Sequence, residues 1–344
     1  MPSIEEYCIH SVSRNKAMRN NHRIIVTGMI LPIVEELLGP FGRIEIALQT
    51  DEESLIGMMR GTVGVIARGM TQISARLIAS GADLRVIGRT GAGYDTVDLE
   101  AATTRGIPVV YAPGAGTRAV AEGTLSMILA LAKRLQDLDR KTRRGEWSVR
   151  ETLAISDLEG ASLGIIGLGR IGCEVACLAK AFHMRILGYD PLIAKDIAEQ
   201  AGAELVDFDV LLKESDFISL NAPLNQQTRG MINRQRLSQV KRGAVLVNLA
   251  RGGLLESLDV LDEALESGQL SAVGLDVFPE EPPDLSHPIF QRPNVLCTPH
   301  IMGLTAKAAQ ATFAMVSRGM ADVLENRIPE NVANPEVFRT IPSK

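Results

Sequence analysis

The sequence lacks a basic excess. Its 344 residues hold 36 lysines and arginines against 41 aspartates and glutamates, a formal net charge of −5. No cationic field is available to hold a phosphate backbone, so nucleic acid is not an expected partner. Cysteine is scarce as well: Cys8, Cys173, Cys177 and Cys297. Their spacing fits neither a disulfide framework nor a zinc site. Cys173 and Cys177, four apart, would share a helix face, but no histidine or further cysteine completes a ligand set. Packing is their expected role, no metal is expected, and a reducing compartment is implied. Long apolar runs are missing too. No stretch approaches the ~18 apolar residues of a membrane span. The opening MPSIEEYCIHSVSRNKAMRN holds no apolar segment of signal-peptide length. The expectation is a cytoplasmic chain with a loose N-terminal extension and no membrane partner.

What the sequence has is alternation. From Arg23, short apolar runs (RIIVTG, IEIALQ, GVIARG, LRVIGRTG, IPVVYAPG) are separated by segments of helical period such as LPIVEELLG and TQISARLIAS. That pattern predicts a parallel sheet with helices on both faces. It breaks at Thr117, where one long helix is predicted through Arg144, amphipathic in its middle and basic at its end. From Leu163 the alternation restarts and runs to NVLCTPH; a last helix is predicted from about Leu304 to Asn326. The fold class expected is α/β: two Rossmann-like, doubly wound parallel-sheet domains linked by long helices. The length suits two cores rather than one. The boundaries expected are 22–112 for the first part of a flavodoxin-like substrate domain, 113–304 for a dinucleotide-binding domain, and 305–337 for the last helix of the first, which is thus discontinuous. No regulatory segment is expected after Val337.

GLGRIG, Gly167 to Gly172, is a G-x-G-x-x-G. Alone such a hexapeptide is weak. Here it follows the strand LGII and opens the helix IGCEVACLAKAF, the context in which Gly167 turns the chain, Gly169 admits a pyrophosphate and Gly172 lets helix and strand pack. Asp190 ends the next run, RILGYD. A carboxylate there accepts from ribose hydroxyls and repels a 2′-phosphate, so the cofactor expected is NAD rather than NADP. Three further residues fall at strand ends: Arg251 in NLARGG, Glu281 after AVGLDVF, and His300 in CTPH. Each alone has an ordinary reading, as a turn residue or a solvated side chain. In an open parallel sheet, however, ligands bind at the carboxyl ends of strands, which puts all three at one edge.

GLGRIG, Asp190, NLARGG, GLDVFPEEPP and TPHIMG, in this order, resemble the D-isomer-specific 2-hydroxyacid dehydrogenases, most nearly the phosphoglycerate dehydrogenase branch; GRTGAGYDTVD and AVAEGTLSMI fit the same pattern. The resemblance covers roughly Arg23 to Val337. It implies hydride transfer between NAD(H) and a small 2-hydroxy or 2-keto acid, with 3-phosphoglycerate as the candidate. It implies His300 as the acid–base, Glu281 as the carboxylate that orients it, and Arg251 as the grip on the substrate carboxylate. Glu280 is left to solvent. Pro282 and Pro283 would fix the loop. Cofactor contacts are implied at Gly167, Gly169, Arg170, Ile171, Gly172, Asp190, Ala222, Leu249, Ala250, Arg251, Asp276, His300 and Gly303, with Asp276 on the nicotinamide carboxamide. Substrate contacts are implied at Ala92 and Gly93 through backbone N–H groups, and at Arg68 and Arg89 as cations for an acidic tail. Two alternatives remain: a glyoxylate/hydroxypyruvate reductase, and a dinucleotide-sensing protein of the corepressor type. A homodimer is implied by the family and by the apolar face of the predicted helix from Ala119 to Leu138, which a monomer would struggle to cover.

Overall fold

The structure, a computed structural model, describes residues 22–339. The N-terminal extension and Cys8 lie outside the described residues. The chain divides into two compact units, one of Met1–Gly116 with Ala306–Lys344 and the other of Thr117–Thr305.

In the first unit the strands are β1 (Arg23–Val26), β2 (Arg43–Ile46), β3 (Thr62–Ala67), β4 (Val86–Arg89) and β5 (Val109–Tyr111). They form one sheet in the order β2-β1-β3-β4-β5, every pairing parallel. Between them run α1 (Pro32–Leu38), α2 (Glu52–Met58), α3 (Ala75–Ser80) and α4 (Leu99–Thr104). Side-chain caps start three of these helices: Asp51, Ser74 and Asp98 each accept from a backbone N–H of the first turn. Alternate strand residues point to opposite faces. Ile25, Val65 and Ile87 enter one core, while Ile24, Val26, Ile66 and Val86 enter the other. The second of these cores is closed by Phe313, Val316 and Met320 from the last helix of the chain, which is why this unit needs both ends of the sequence.

The second unit opens with α5 (Thr117–Ala132) and α6 (Leu135–Arg143). Its strands are β6 (Ser162–Ile166), β7 (Arg185–Tyr189), β8 (Glu204–Leu205), β9 (Phe217–Leu220), β10 (Ala244–Asn248), β11 (Leu270–Leu275) and β12 (Val295–Cys297). The helices between them are α7 (Arg170–Lys180), α8 (Lys195–Ala201), α9 (Phe208–Glu214), α10 (Arg234–Leu237) and α11 (Leu258–Glu266); α12 (Ala306–Leu324) belongs to the first unit. The sheet order is β12-β11-β10-β9-β6-β7-β8. Strand order reverses between β6 and β9, and that switch point opens the crevice where dinucleotides bind in this topology. The chain is α/β with two doubly wound parallel sheets, as the alternation predicts.

The single long helix predicted over 117–144 is two helices. Arg134 adopts a left-handed backbone, φ 49° and ψ 37°, and the Lys133 and Arg134 N–H groups close the last turn on the carbonyls of Leu129 and Leu131. The physical reason lies in the pattern: α5 buries Ala121, Leu125, Met127, Ile128 and Ala132, whereas α6 buries nothing. Past Ala132 no core remains to hold the helix in phase. The apolar face of α5 is therefore covered by its own unit, where the helix packs on α7, β10 and β11. It does not supply the uncovered surface from which a dimer was expected.

Candidate active site

The glycine motif follows β6. Gly167 takes φ +95°, a conformation L side chains rarely adopt, and a Cβ there would run into the backbone of Ala222 after β9. A Cβ on Gly172 would run into the Gly167 carbonyl, so α7 starts hard against the turn. Gly169 and Arg170, at the start of α7, are exposed; Ile171 is half-buried. The first-turn N–H groups of an eleven-residue helix thus face outward at the switch point, the donor set a pyrophosphate requires. Asp190 stands just past β7. Its Oδ2 accepts from the Leu168 N–H and its Oδ1 from the Leu192 N–H, both at 2.9 Å. These bonds lock the carboxylate beside the glycine turn, where ribose hydroxyls would meet its remaining lone pairs. Burial, with the Asp190 charge added, pushes the Cys173 thiol up; it donates to the Leu168 carbonyl at 3.0 Å. The residues present fit NAD.

Arg251, Glu281 and His300 follow β10, β11 and β12, three adjacent strands at the same sheet edge. His300 Nδ1 lies 2.8 Å from Glu281 Oε2. The other oxygen, Oε1, accepts from the Phe278 N–H at 3.1 Å. Burial pushes the Glu281 carboxyl up. The hydrogen bond and charge of His300, the Phe278 N–H and the Arg251 charge together outweigh burial and hold it below its ordinary value. Glu281 is therefore a carboxylate aimed at the ring. Glu280 is exposed. The Glu281–Pro282 peptide is cis.

Two buried polar side chains hold the loops beneath these residues. Asp276, 2% exposed, accepts at Oδ1 from the Thr298 hydroxyl at 2.6 Å and the Ile301 N–H at 2.9 Å, and at Oδ2 from the Met302 N–H at 3.2 Å. It thereby fastens both sides of His300, whose backbone is left-handed at φ 50°. Oδ2, with one donor, keeps acceptor capacity for a carboxamide. Asn248, fully buried, donates to the Arg251 carbonyl at 2.9 Å and accepts from the Ala250 N–H at 3.0 Å. The Arg251 Nη1 donates to the Ala250 carbonyl at 2.7 Å. A Cβ on Gly252 would strike the Phe278 carbonyl, so the Arg251 turn and the strand leading to Glu281 touch backbone to backbone. Sequence reasoning missed the anchoring roles of Asn248 and Asp276. The signal was present: a polar residue closing an otherwise apolar run, in AVLVN and AVGLD.

Of the other expected contacts, Ala222 and Leu249 are each 7% exposed and offer a ligand backbone rather than side chain; Ala250 and Gly303 are half-buried. In the first unit, Ala92 is exposed and Gly93 half-buried in the turn after β4. Among the described residues their N–H groups have no hydrogen-bond partner, which suits them to an anionic ligand. Arg68, past β3, donates to the Met29 carbonyl at 2.5 Å and lies 5.0 Å over the Phe313 ring. Arg89 is 7% exposed, and its guanidinium donates to the Thr96 hydroxyl and to the Thr90 and Gly69 carbonyls. Five donors on a planar fork suit it to tying loops together.

The sequence profile of the D-isomer specific 2-hydroxyacid dehydrogenase NAD binding domain matches residues 125–302. The chain belongs to the D-isomer-specific 2-hydroxyacid dehydrogenases. It is similar to the D-3-phosphoglycerate dehydrogenase of Methanocaldococcus jannaschii, 40% identical over 313 residues, which are 91% of this chain and 59% of that protein. A glyoxylate reductase of Thermococcus litoralis is 35% identical over 294 residues, 84% of this chain and 88% of that one. Among solved structures of this dehydrogenase fold, a D-lactate dehydrogenase from Aquifex aeolicus complexed with NAD and lactic acid superposes with a TM-score of 0.82 at 27% identity, covering 91% of this chain and 99% of that one. The chain spans 51% to 60% of the length of the phosphoglycerate dehydrogenases it matches in M. jannaschii and Arabidopsis thaliana and in the rat. Among the described residues no helix is long and apolar enough to cross a membrane.

Proposed function

We propose that the protein is an NAD-dependent D-2-hydroxyacid dehydrogenase. The observation that carries the reading is the His300–Glu281 pair at 2.8 Å, on strand ends next to Arg251 in an NAD-binding domain. Bound NAD(H) supplies or takes the hydride at the carbon bearing the oxygen. His300 gives a proton to that oxygen in keto-acid reduction and takes it in hydroxy-acid oxidation, the work of a positioned imidazole. Glu281 orients the ring and stabilises the imidazolium, as a carboxylate does in other histidine-based sites. Arg251 holds the substrate carboxylate with its fork. Arg68 offers a cation for an acidic tail, which favours a phosphorylated or dicarboxylic substrate such as 3-phosphoglycerate. A glyoxylate or hydroxypyruvate reductase is the second reading, supported by the 35% identity to a glyoxylate reductase that the chain matches over 88% of its length.

The same reading makes the protein cytoplasmic, in keeping with the free thiols of Cys173, Cys177 and Cys297, and a homodimer. The uncovered surface that supports a dimer is the arm after α5, where Leu135, Trp147 and Ile155 are exposed. The test of function is a screen of 2-keto acids with NADH, scored by kcat/KM. Turnover of an acidic-tailed keto acid above glyoxylate supports the first reading, and preference for glyoxylate or hydroxypyruvate the second. No turnover of any keto acid overturns both.

A further inference from the structure

We infer that Asn248 is a positioning residue for Arg251: its carboxamide fixes the turn from which the guanidinium reaches the substrate. The inference rests on the reading of Arg251 as the carboxylate grip. Asn248 is the last residue of β10, near the middle of the seven-stranded sheet, and is 0% exposed, so it touches neither substrate nor cofactor. Its main chain is set by the sheet, with its carbonyl accepting the Asp276 N–H at 3.0 Å.

From that fixed point the side chain spans the turn. Nδ2 donates to the Arg251 carbonyl at 2.9 Å and Oδ1 accepts from the Ala250 N–H at 3.0 Å. One planar group thus holds the Leu249–Ala250 peptide before Arg251 and the Arg251–Gly252 peptide after it. The position needs a donor and an acceptor on a two-carbon stem. Aspartate keeps the acceptor for Ala250 but sets an oxygen against the Arg251 carbonyl; alanine leaves the Ala250 N–H without its acceptor and the Arg251 carbonyl with only the longer bond from the Leu254 N–H, 3.3 Å. No slack elsewhere absorbs the loss, because the next residue, Gly252, already presses on the Phe278 carbonyl. A shift of the turn therefore moves the guanidinium.

The test is a double-mutant cycle with hydroxypyruvate and glyoxylate as probe substrates, using Asn248→Ala, Arg251→Lys and the double variant, with NADH affinity read by nucleotide fluorescence. Asn248→Ala is expected to lower kcat/KM about 10- to 100-fold, mostly through KM, as follows from losing both hydrogen bonds that set the turn. NADH affinity should hold within about threefold. In the Arg251→Lys background the same substitution should change kcat/KM by less than about threefold, because its effect runs through a fork already gone. An undiminished loss in that background overturns the proposal, as does a wild-type KM in Asn248→Ala. Near-normal kcat/KM in Arg251→Lys alone overturns the reading of Arg251 instead, so the two failures are distinct. Should Asn248→Ala not fold, Asn248→Asp enters the same cycle. It keeps the acceptor and puts a carboxylate oxygen in place of the donor; the same KM-weighted loss supports the proposal while wild-type kinetics overturn it.

Discussion

At the scale of single residues, the two glutamates of GLDVFPEEPPD separate cleanly. Glu281 faces His300 and Glu280 faces water. Glu281→Gln removes the counter-charge of the imidazolium. Keto-acid reduction, which draws its proton from that ring, should then fall in kcat/KM. Glu280→Gln should leave kcat/KM in place, and a loss in Glu280→Gln alone would show the wrong carboxylate was chosen. His300→Gln should cost about two to four orders of magnitude, the usual contribution of a positioned acid–base. The same carboxylate has a thermodynamic signature. Its folded value lies below the ordinary 4.5, so it contributes stability that is full above 4.5 and is lost as pH falls through the lower folded value. Thermal denaturation of wild type and Glu281→Gln across acid pH should show the stability gap closing in that window; a gap independent of pH speaks against the ionised pair. Arg251→Lys keeps the charge but loses the paired geometry. A loss of about 10- to 100-fold in kcat/KM is expected from one charged hydrogen bond, with NADH binding retained, as steady-state kinetics and nucleotide titration would show.

At the scale of elements, the site is a row of strand ends and the turns that leave them. The contact between the Arg251 turn and the β11 exit has no room for a side chain. Gly252→Ala should therefore strain two loops of the proposed site at once, at about 1–3 kcal/mol for overpacking, seen as a lowered melting temperature together with lost turnover. A wild-type melting point and kcat would show the turn to be loose. The β7 end makes a separate prediction. Asp190 is fixed beside the glycine turn by two backbone N–H groups and should repel a 2′-phosphate. NADH is expected to exceed NADPH in kcat/KM, and Asp190→Ser should narrow that ratio. Comparable use of both cofactors by the wild type would remove Asp190 as the discriminator.

At the scale of the whole molecule, the exposed arm decides what association to expect. Residues 134–157 fold into α6 and a short 3-10 turn, Trp147–Glu151, without one buried side chain. Light scattering at micromolar concentration should give twice the 37.1 kDa of one chain, and Trp147→Glu with Leu135→Glu should shift the mass toward one chain. A single-chain mass for the wild type refutes the dimer. The sequence by itself determined the two α/β blocks and the dinucleotide turn, and it placed Arg251, Glu281 and His300 at strand ends, because these rest on local periodicity, on glycine backbone chemistry and on strand ends that a parallel sheet aligns; the roles of the three come from the family resemblance and belong to the proposal. Other features needed tertiary structure. Arg68 and Arg89 look alike in sequence, but only the packing of the loops around Thr96, Thr90 and Gly69 encloses Arg89. The helix break at Arg134 follows from where the core of the second unit ends, which periodicity inside the helix does not record. The anchors at Asn248 and Asp276 depend on bonds that a side chain's identity does not reveal until the sheet is assembled. Asn248 reaches only three residues along the chain, but the turn it spans forms against β11; Asp276 reaches Thr298, Ile301 and Met302 across more than twenty residues.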